Sequence, residues 1–154
     1  MNALASVPAT ARNSWLVAGG ILSAVAAILH LAVIAGGPDW YRFFGAGEEM
    51  ARMAERGLLR PALYTVVIAS ILGIWSAYAF AGAGLLRRLP LMRTALVGIS
   101  AVYLLRGLSL VPLALLRPDL VDPFALWSSL IVLIYGICHA VGTWRAWRTL
   151  SAGR

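Results

Sequence analysis

The chain has one cysteine in 154 residues, no lysine, and only 12% charged residues. The lone thiol, Cys138, has no partner for an intrachain disulfide, so no covalent cross-link supports the fold. Charge this sparse, beside 61% hydrophobic residues and a mean hydropathy of +0.84, excludes an ordinary soluble domain and indicates an integral membrane protein. No acid occurs inside any long apolar run. All six (Asp39, Glu48, Glu49, Glu55, Asp119 and Asp122) fall between runs. There is no Gly-rich phosphate loop, zinc-protease helix or serine nucleophile elbow, and Gly-Ala-Gly at 45–47 and 82–84 reads as turns. The net charge of +7 rests on thirteen arginines. With no soluble basic domain to hold a duplex, that charge points to membrane topology and anionic headgroups and away from nucleic acid.

What is present is four apolar runs, at about 15–36, 61–86, 94–116 and 124–144, each long enough for a bilayer core of about 30 Å. The expected fold is therefore a single all-α membrane domain over 1–154, a four-transmembrane-helix bundle with an amphipathic helix in the outer loop 37–60. A short polar leader, Met1 to Ser14, precedes the first run, which is too long for a signal-peptide core and reads as a retained span. Gly19, Ser23, Ala26, Ala27 and His30 recur at steps of three and four on that span, a close-packing stripe that turns His30 toward the bundle. Gly73, Ala77 and Ala81 suggest a similar face on the second span, and Pro112 a kink in the third.

Gly36-Gly37-Pro38 ends the first span and opens the longest polar segment. Trp40, Tyr41, Phe43 and Phe44 suit the headgroup zone. Ala46, Met50, Met53, Ala54, Gly57 and Leu58 form the apolar face of the outer helix. Glu48 and Glu49 in its first turn and Arg56 in its last suit the helix dipole. The arginine turn 87–93 and the tail with Arg145, Arg148 and Arg154 assign both termini to the cytoplasmic side of a bacterial inner membrane.

Within this layout Arg106 is the anomaly, a guanidinium near mid-membrane. At that depth an arginine costs about 2.5–3.5 kcal/mol on insertion scales and calls for a partner, a cavity or a ligand. Helix rise puts Tyr135 at a similar depth, roughly 16–18 Å from the outer boundary. Tyr103 and Ser109 flank Arg106, while Ser128, Tyr135, His139 and Gly142 share a face of the fourth span. These residues form either an internal polar strut or the floor of an outward-facing pocket. The only acids able to reach it come from the outer loop: Asp39, Glu48 and Glu49. His30 and His139 lie in opposite leaflets, about 12 Å apart in depth, which argues against one metal or haem between them. Met50 and Met53 with His30 make a weak copper pattern, and Cys138 reads as packing.

The first helix ending in His30-Leu-Ala-Val, the loop Asp39-Trp-Tyr-Arg-Phe-Phe-Gly-Ala-Gly-Glu-Glu and the arginine turn resemble small four-helix bacterial inner-membrane proteins, loosely the DoxX-like group. That resemblance implies topology and no particular activity. A superficial likeness to the sterol-isomerase and sigma-2-receptor superfamily lacks the acids those proteins carry within their spans. The expected function is a binding or accessory protein rather than an enzyme. Its ligand-binding set would be Arg106, Tyr103, Tyr135, His30, Glu48, Glu49, Asp39 and Trp40, with no metal and no cofactor. Expected partners are membrane lipids, an anionic amphiphile, and a second copy or partner membrane subunit. The alternative is a small transporter or membrane-embedded enzyme using His30 with Glu48 or Glu49 for proton transfer.

Overall fold

The computed structural model describes residues 12–151. The expected leader lies outside them as far as residue 11, as does Arg154. Among the described residues all regular structure is helical. Four helices meet the length and hydropathy of membrane spans: Ser14–Gly36, Arg60–Gly82, Met92–Leu116 and Pro123–Arg145. The protein is thus a multi-pass membrane protein built as a four-helix bundle. Its outward faces are apolar, with Leu105, Leu115 and Trp144 each at least 70% exposed, as expected where lipid is the solvent.

The first span is α1 (Ser14–Gly36). Asn13 caps it, its side chain accepting from Leu16 N. Two short helices follow, α2 (Pro38–Phe43) and α3 (Glu48–Glu55). The second span, α4 (Arg60–Gly82), places Pro61 in its first turn, where a missing N–H costs nothing. It stops short of the expected residue 86, because Gly84 takes a left-handed φ of 79° and turns the chain.

The third span is two helices, α5 (Met92–Leu108) and α6 (Leu110–Leu116), interrupted at Ser109. The break lies one turn before Pro112. A proline lacks its own N–H and its ring collides with the carbonyl four residues back, here Leu108. Ser109 Oγ donates to the Arg106 carbonyl at 2.7 Å. A 3₁₀ turn, Pro118–Leu120, leads to α7 (Pro123–Arg145), capped by Asp122, and then α8 (Trp147–Ser151).

The spans pack chiefly as two antiparallel pairs, α1 with α4 and α5 with α7, joined mainly through α1 and α7. The small stripe on α1 packs as expected: Gly19 and Ser23 are buried, and Ala26 and Ala27 lie against the main core. On α4 the buried line is Thr65, Ala69, Leu72, Ser76 and Ala79, and Gly73 faces open space. The expected Gly73–Ala77–Ala81 face holds at Ala81, which is buried in the main core, and fails at Gly73, which is exposed. Ser76 explains the shift, since its hydroxyl donates to the Gly20 carbonyl of α1 at 2.8 Å and turns that side inward.

Candidate functional site

The two ends of the bundle differ in charge. At one end α2 and α3 fold over the end of α1 as a cap. Val33, Tyr41 and Ala51 are its buried centre, with Phe44, Met50 and Ala54 packed around them. Ala51, absent from the apolar face read from the sequence, is its most buried residue at 0% exposure. Trp40 packs over Gly36, where a Cβ would lie only 2.1 Å from the indole, and its ring centroid is 5.7 Å from that of Phe44.

Arg42 ties the cap together. Its guanidinium meets Glu48 through Nε at 2.9 Å and Nη2 at 3.2 Å, Glu55 at 2.6 Å and Asp39 at 3.2 Å. Arg52 adds a bond to Glu48 at 3.1 Å. The outer-loop acids expected to approach Arg106 or His30 are in this way drawn toward Arg42, while Glu49 is exposed on the same helix. The bonds from Arg42 and then Arg52 hold the Glu48 carboxyl below its ordinary range, and raise the Arg42 guanidinium above its own.

A carboxylate with a depressed folded pKa stabilises the fold above its ordinary pKa and loses that contribution as pH falls toward the folded value. Protection of the α3 amides from hydrogen exchange, taken relative to the intrinsic rate at each pH, is therefore expected to fall below about pH 4 and with added salt, since these exposed pairs are screened. Protection unchanged down to pH 3 would contradict the ionic tie.

The interior holds a polar and aromatic core to which all four spans contribute. Tyr103 of α5 is its hub. Its hydroxyl lies 2.9 Å from Ser23 Oγ on α1, and its ring meets Trp75 of α4 edge-on at 4.9 Å, Tyr135 at 5.6 Å and His139 at 5.1 Å. His139 is fully buried. Its Nδ1 donates to the Tyr135 carbonyl at 2.9 Å, which leaves Nε2 as an acceptor, and that atom has no partner among the described residues. Tyr103→Phe is expected to strand the Ser23 hydroxyl and cost about 1–3 kcal/mol. Adding Ser23→Ala should recover part of that loss, which a double-mutant cycle of unfolding in mild detergent would measure.

The two tyrosines expected around Arg106 belong to this core. Arg106 itself is exposed on the outer side of α5 and donates from Nη1 to Ser129 Oγ of α7 at 3.1 Å. His30 is half-buried and bonds back to its own helix, Nδ1 to the Ala26 carbonyl at 2.8 Å. Among the described residues no hydrogen bond joins Arg106 to either tyrosine, or His30 to Glu48 or Glu49. The structure gathers Asp39 and Glu48 at Arg42, and Tyr103 and Tyr135 at His139, but does not bring the eight residues into one site.

The opposite end, where residue 12 and Thr149 of α8 come together with the 83–91 turn, carries a feature the sequence reading missed. A cavity of about 640 Å³ opens there, and its lining includes Arg12, Arg88 and Arg145 together with Asn13, Met92 and Thr149, with no acidic side chain among the described residues. Its walls are fixed from several directions. Asn13 Nδ2 donates to the Gly142 carbonyl at 2.7 Å, Arg88 donates to the Thr149 carbonyl at 2.5 Å, and the Arg145 guanidinium stands over the Trp15 ring, 5.7 Å from its centroid. The available signal was that Arg12, the 87–93 turn and Arg145 must share one membrane side. Comparison with protein-family models, with curated proteins and with solved structures gave no match.

Proposed function

We propose that this membrane protein is a non-catalytic binding protein that holds the headgroup of an anionic amphiphile in the cavity of Arg12, Arg88 and Arg145. The observation that carries the reading is that, among the described residues, three arginines and no acidic side chain line about 640 Å³ at the end of the bundle. Guanidinium is the side chain suited to phosphate, which it grips through two parallel N–H bonds while remaining charged at any physiological pH. A volume of this size lies within the roughly 300–1,000 Å³ range of small-ligand sites. Among the described residues Arg106 bonds to Ser129 and does not line this cavity, so the headgroup reading belongs to the three arginines in its place.

The same end also carries Arg87, Arg93 and Arg148, and with Arg154 seven arginines flank it in the sequence against Arg42, Arg52, Arg56, Arg60 and Arg117 at the other. That asymmetry supports a cytoplasmic position for both termini, facing the anionic leaflet of a bacterial inner membrane. Native mass spectrometry of the protein released from phosphatidylglycerol-containing vesicles tests the reading. Retained phosphatidylglycerol should fall sharply in Arg88→Gln/Arg145→Gln, and unchanged retention would reject it.

A further inference from the structure

The span that carries Arg106 is packed along only part of its length. Tyr103 and Gly107 of α5 are buried, whereas α6 has no buried residue, and Leu105, Val111 and Leu115 are exposed. Apolar exposure is what lipid asks of any span, and by itself it says nothing of a partner. A guanidinium on the same stretch is different, because an ionisable side chain within a span ordinarily turns to the bundle interior, to water or to a partner. Arg106 is exposed. It makes no ion pair among the described residues, and one of its five N–H donors goes to a neutral hydroxyl, Ser129 Oγ.

Depth decides what can answer that charge. Gly107 lies against Leu133, whose atoms a Cβ would meet at 2.8 Å. Leu133 stands about 15 Å by helix rise from Pro123, where α7 begins at the capped end. Ser129 stands about 9 Å from the same point. The Arg106 side chain thus climbs about 6 Å toward the cap and still holds its guanidinium well inside the span. A helix of 23 residues is about 34 Å long against a hydrocarbon core of about 30 Å, so the charge lies about 7 Å beneath the boundary, below the lipid phosphates. A second copy brings no carboxylate to that level, because all six acids lie outside the four spans. Arg42 holds Asp39, Glu48 and Glu55, Arg117 holds Asp119, and Asp122 caps the very start of α7. What matches is a carboxylate carried to this depth on the helix of another protein, where it accepts two parallel N–H bonds from the guanidinium. We infer that the Arg106 face of the third span, with Leu105 and the exposed α6 beside it, docks a transmembrane helix of a partner protein bearing an Asp or Glu about six residues inside its cap-side end.

The test places the full chain in phosphatidylcholine vesicles at pH 8 with fluorescent leucine-rich peptides of about 21 residues, long enough for one span. Each peptide carries a single Glu, moved along the span from one version to the next, and each has a matched Gln control. Association read by energy transfer should peak with Glu about six residues from either end, since the peptide inserts both ways. At the peak it should exceed the Gln control by at least about tenfold, as a charge-assisted pair implies. Arg106→Gln should flatten the profile, Arg106→Lys should keep a smaller peak, and Arg88→Gln/Arg145→Gln, which empties the other end of charge, should leave the profile unchanged. Equal association of Glu and Gln peptides, or a Glu peak that survives Arg106→Gln, would overturn the inference. So would the lack of a Glu peak together with phosphatidylglycerol retention or a wild-type dimer that is lost in Arg106→Gln, results that would assign the guanidinium to lipid or to a second copy.

Discussion

Gly107→Leu and Gly136→Leu are each expected to force α5 and α7 apart and to lower the midpoint of thermal unfolding by roughly 10 °C, for a cost of about 3 kcal/mol or more. Even a Cβ at Gly107 would lie 2.8 Å from the N, Cα and Cβ atoms of Leu133, and one at Gly136 would lie 2.9 Å from Leu104 N. Both obstacles include backbone, which cannot rotate away as a side-chain tip does. The two glycines thus set the close approach that membrane helices use in place of a hydrophobic driving force. Separation would also pull Tyr103 from Tyr135 and His139, and Arg106 from Ser129. Gly73→Leu and Gly98→Leu are the controls, because a Cβ at either position meets nothing within 4 Å. All four variants add the same side chain to a span, so helix propensity and insertion change alike, and only the contact differs. Thermal unfolding in one detergent, followed by circular dichroism, measures the difference, and equal midpoints for the two pairs would contradict the packing.

Charge reversal in the basic cavity carries the second large effect. Arg88→Glu/Arg145→Glu replaces two guanidinium groups of the cavity by carboxylates and changes the local charge by four units. Each lost charge-assisted hydrogen bond is worth about 1.5–3 kcal/mol, and repulsion adds to the loss. Retention of phosphatidylglycerol is expected to fall at least about a hundredfold. The milder Arg88→Gln should weaken it by about tenfold. Because Arg88 also holds the Thr149 carbonyl, the thermal midpoint is read beside retention. The expected pattern is a small shift in midpoint with a large loss of lipid. A large fall in midpoint with lipid retention intact would assign Arg88 to tethering α8.

The bundle was legible because its signals are long and redundant. Four apolar runs of spanning length, three of them without a charge, leave little freedom, and Pro61 stands where a helix start tolerates it. The Ser23 stripe was equally plain, since small residues at steps of three and four have one meaning in a membrane helix. Rotation of helices about their axes was harder to read. Gly73–Ala77–Ala81 looks as good a packing face as Ala69–Leu72–Ser76, yet Ala81 is buried while Gly73 is exposed, and the Ser76 bond to Gly20 marks the side that faces α1. The same ambiguity affected the third span, where Arg106 lies three residues from Tyr103. That offset turned the tyrosine inward to Ser23 and left the arginine on the exposed side of α5 with Ser129. The cavity of Arg12, Arg88 and Arg145 draws on three segments far apart in the chain, so no local spacing announces it, and those arginines first read as topology signals alone.

The central claim, that the arginine cavity and not general basicity binds the anionic headgroup, is tested most directly by two variants that remove equal charge from the same end. Arg88→Gln/Arg145→Gln removes two arginines from the cavity, and Arg87→Gln/Arg148→Gln removes two that do not line it. Phosphatidylglycerol retained per protein, measured by native mass spectrometry at one salt concentration, should fall at least about tenfold in the first variant and less than about twofold in the second. Equal losses in the two variants would contradict the account.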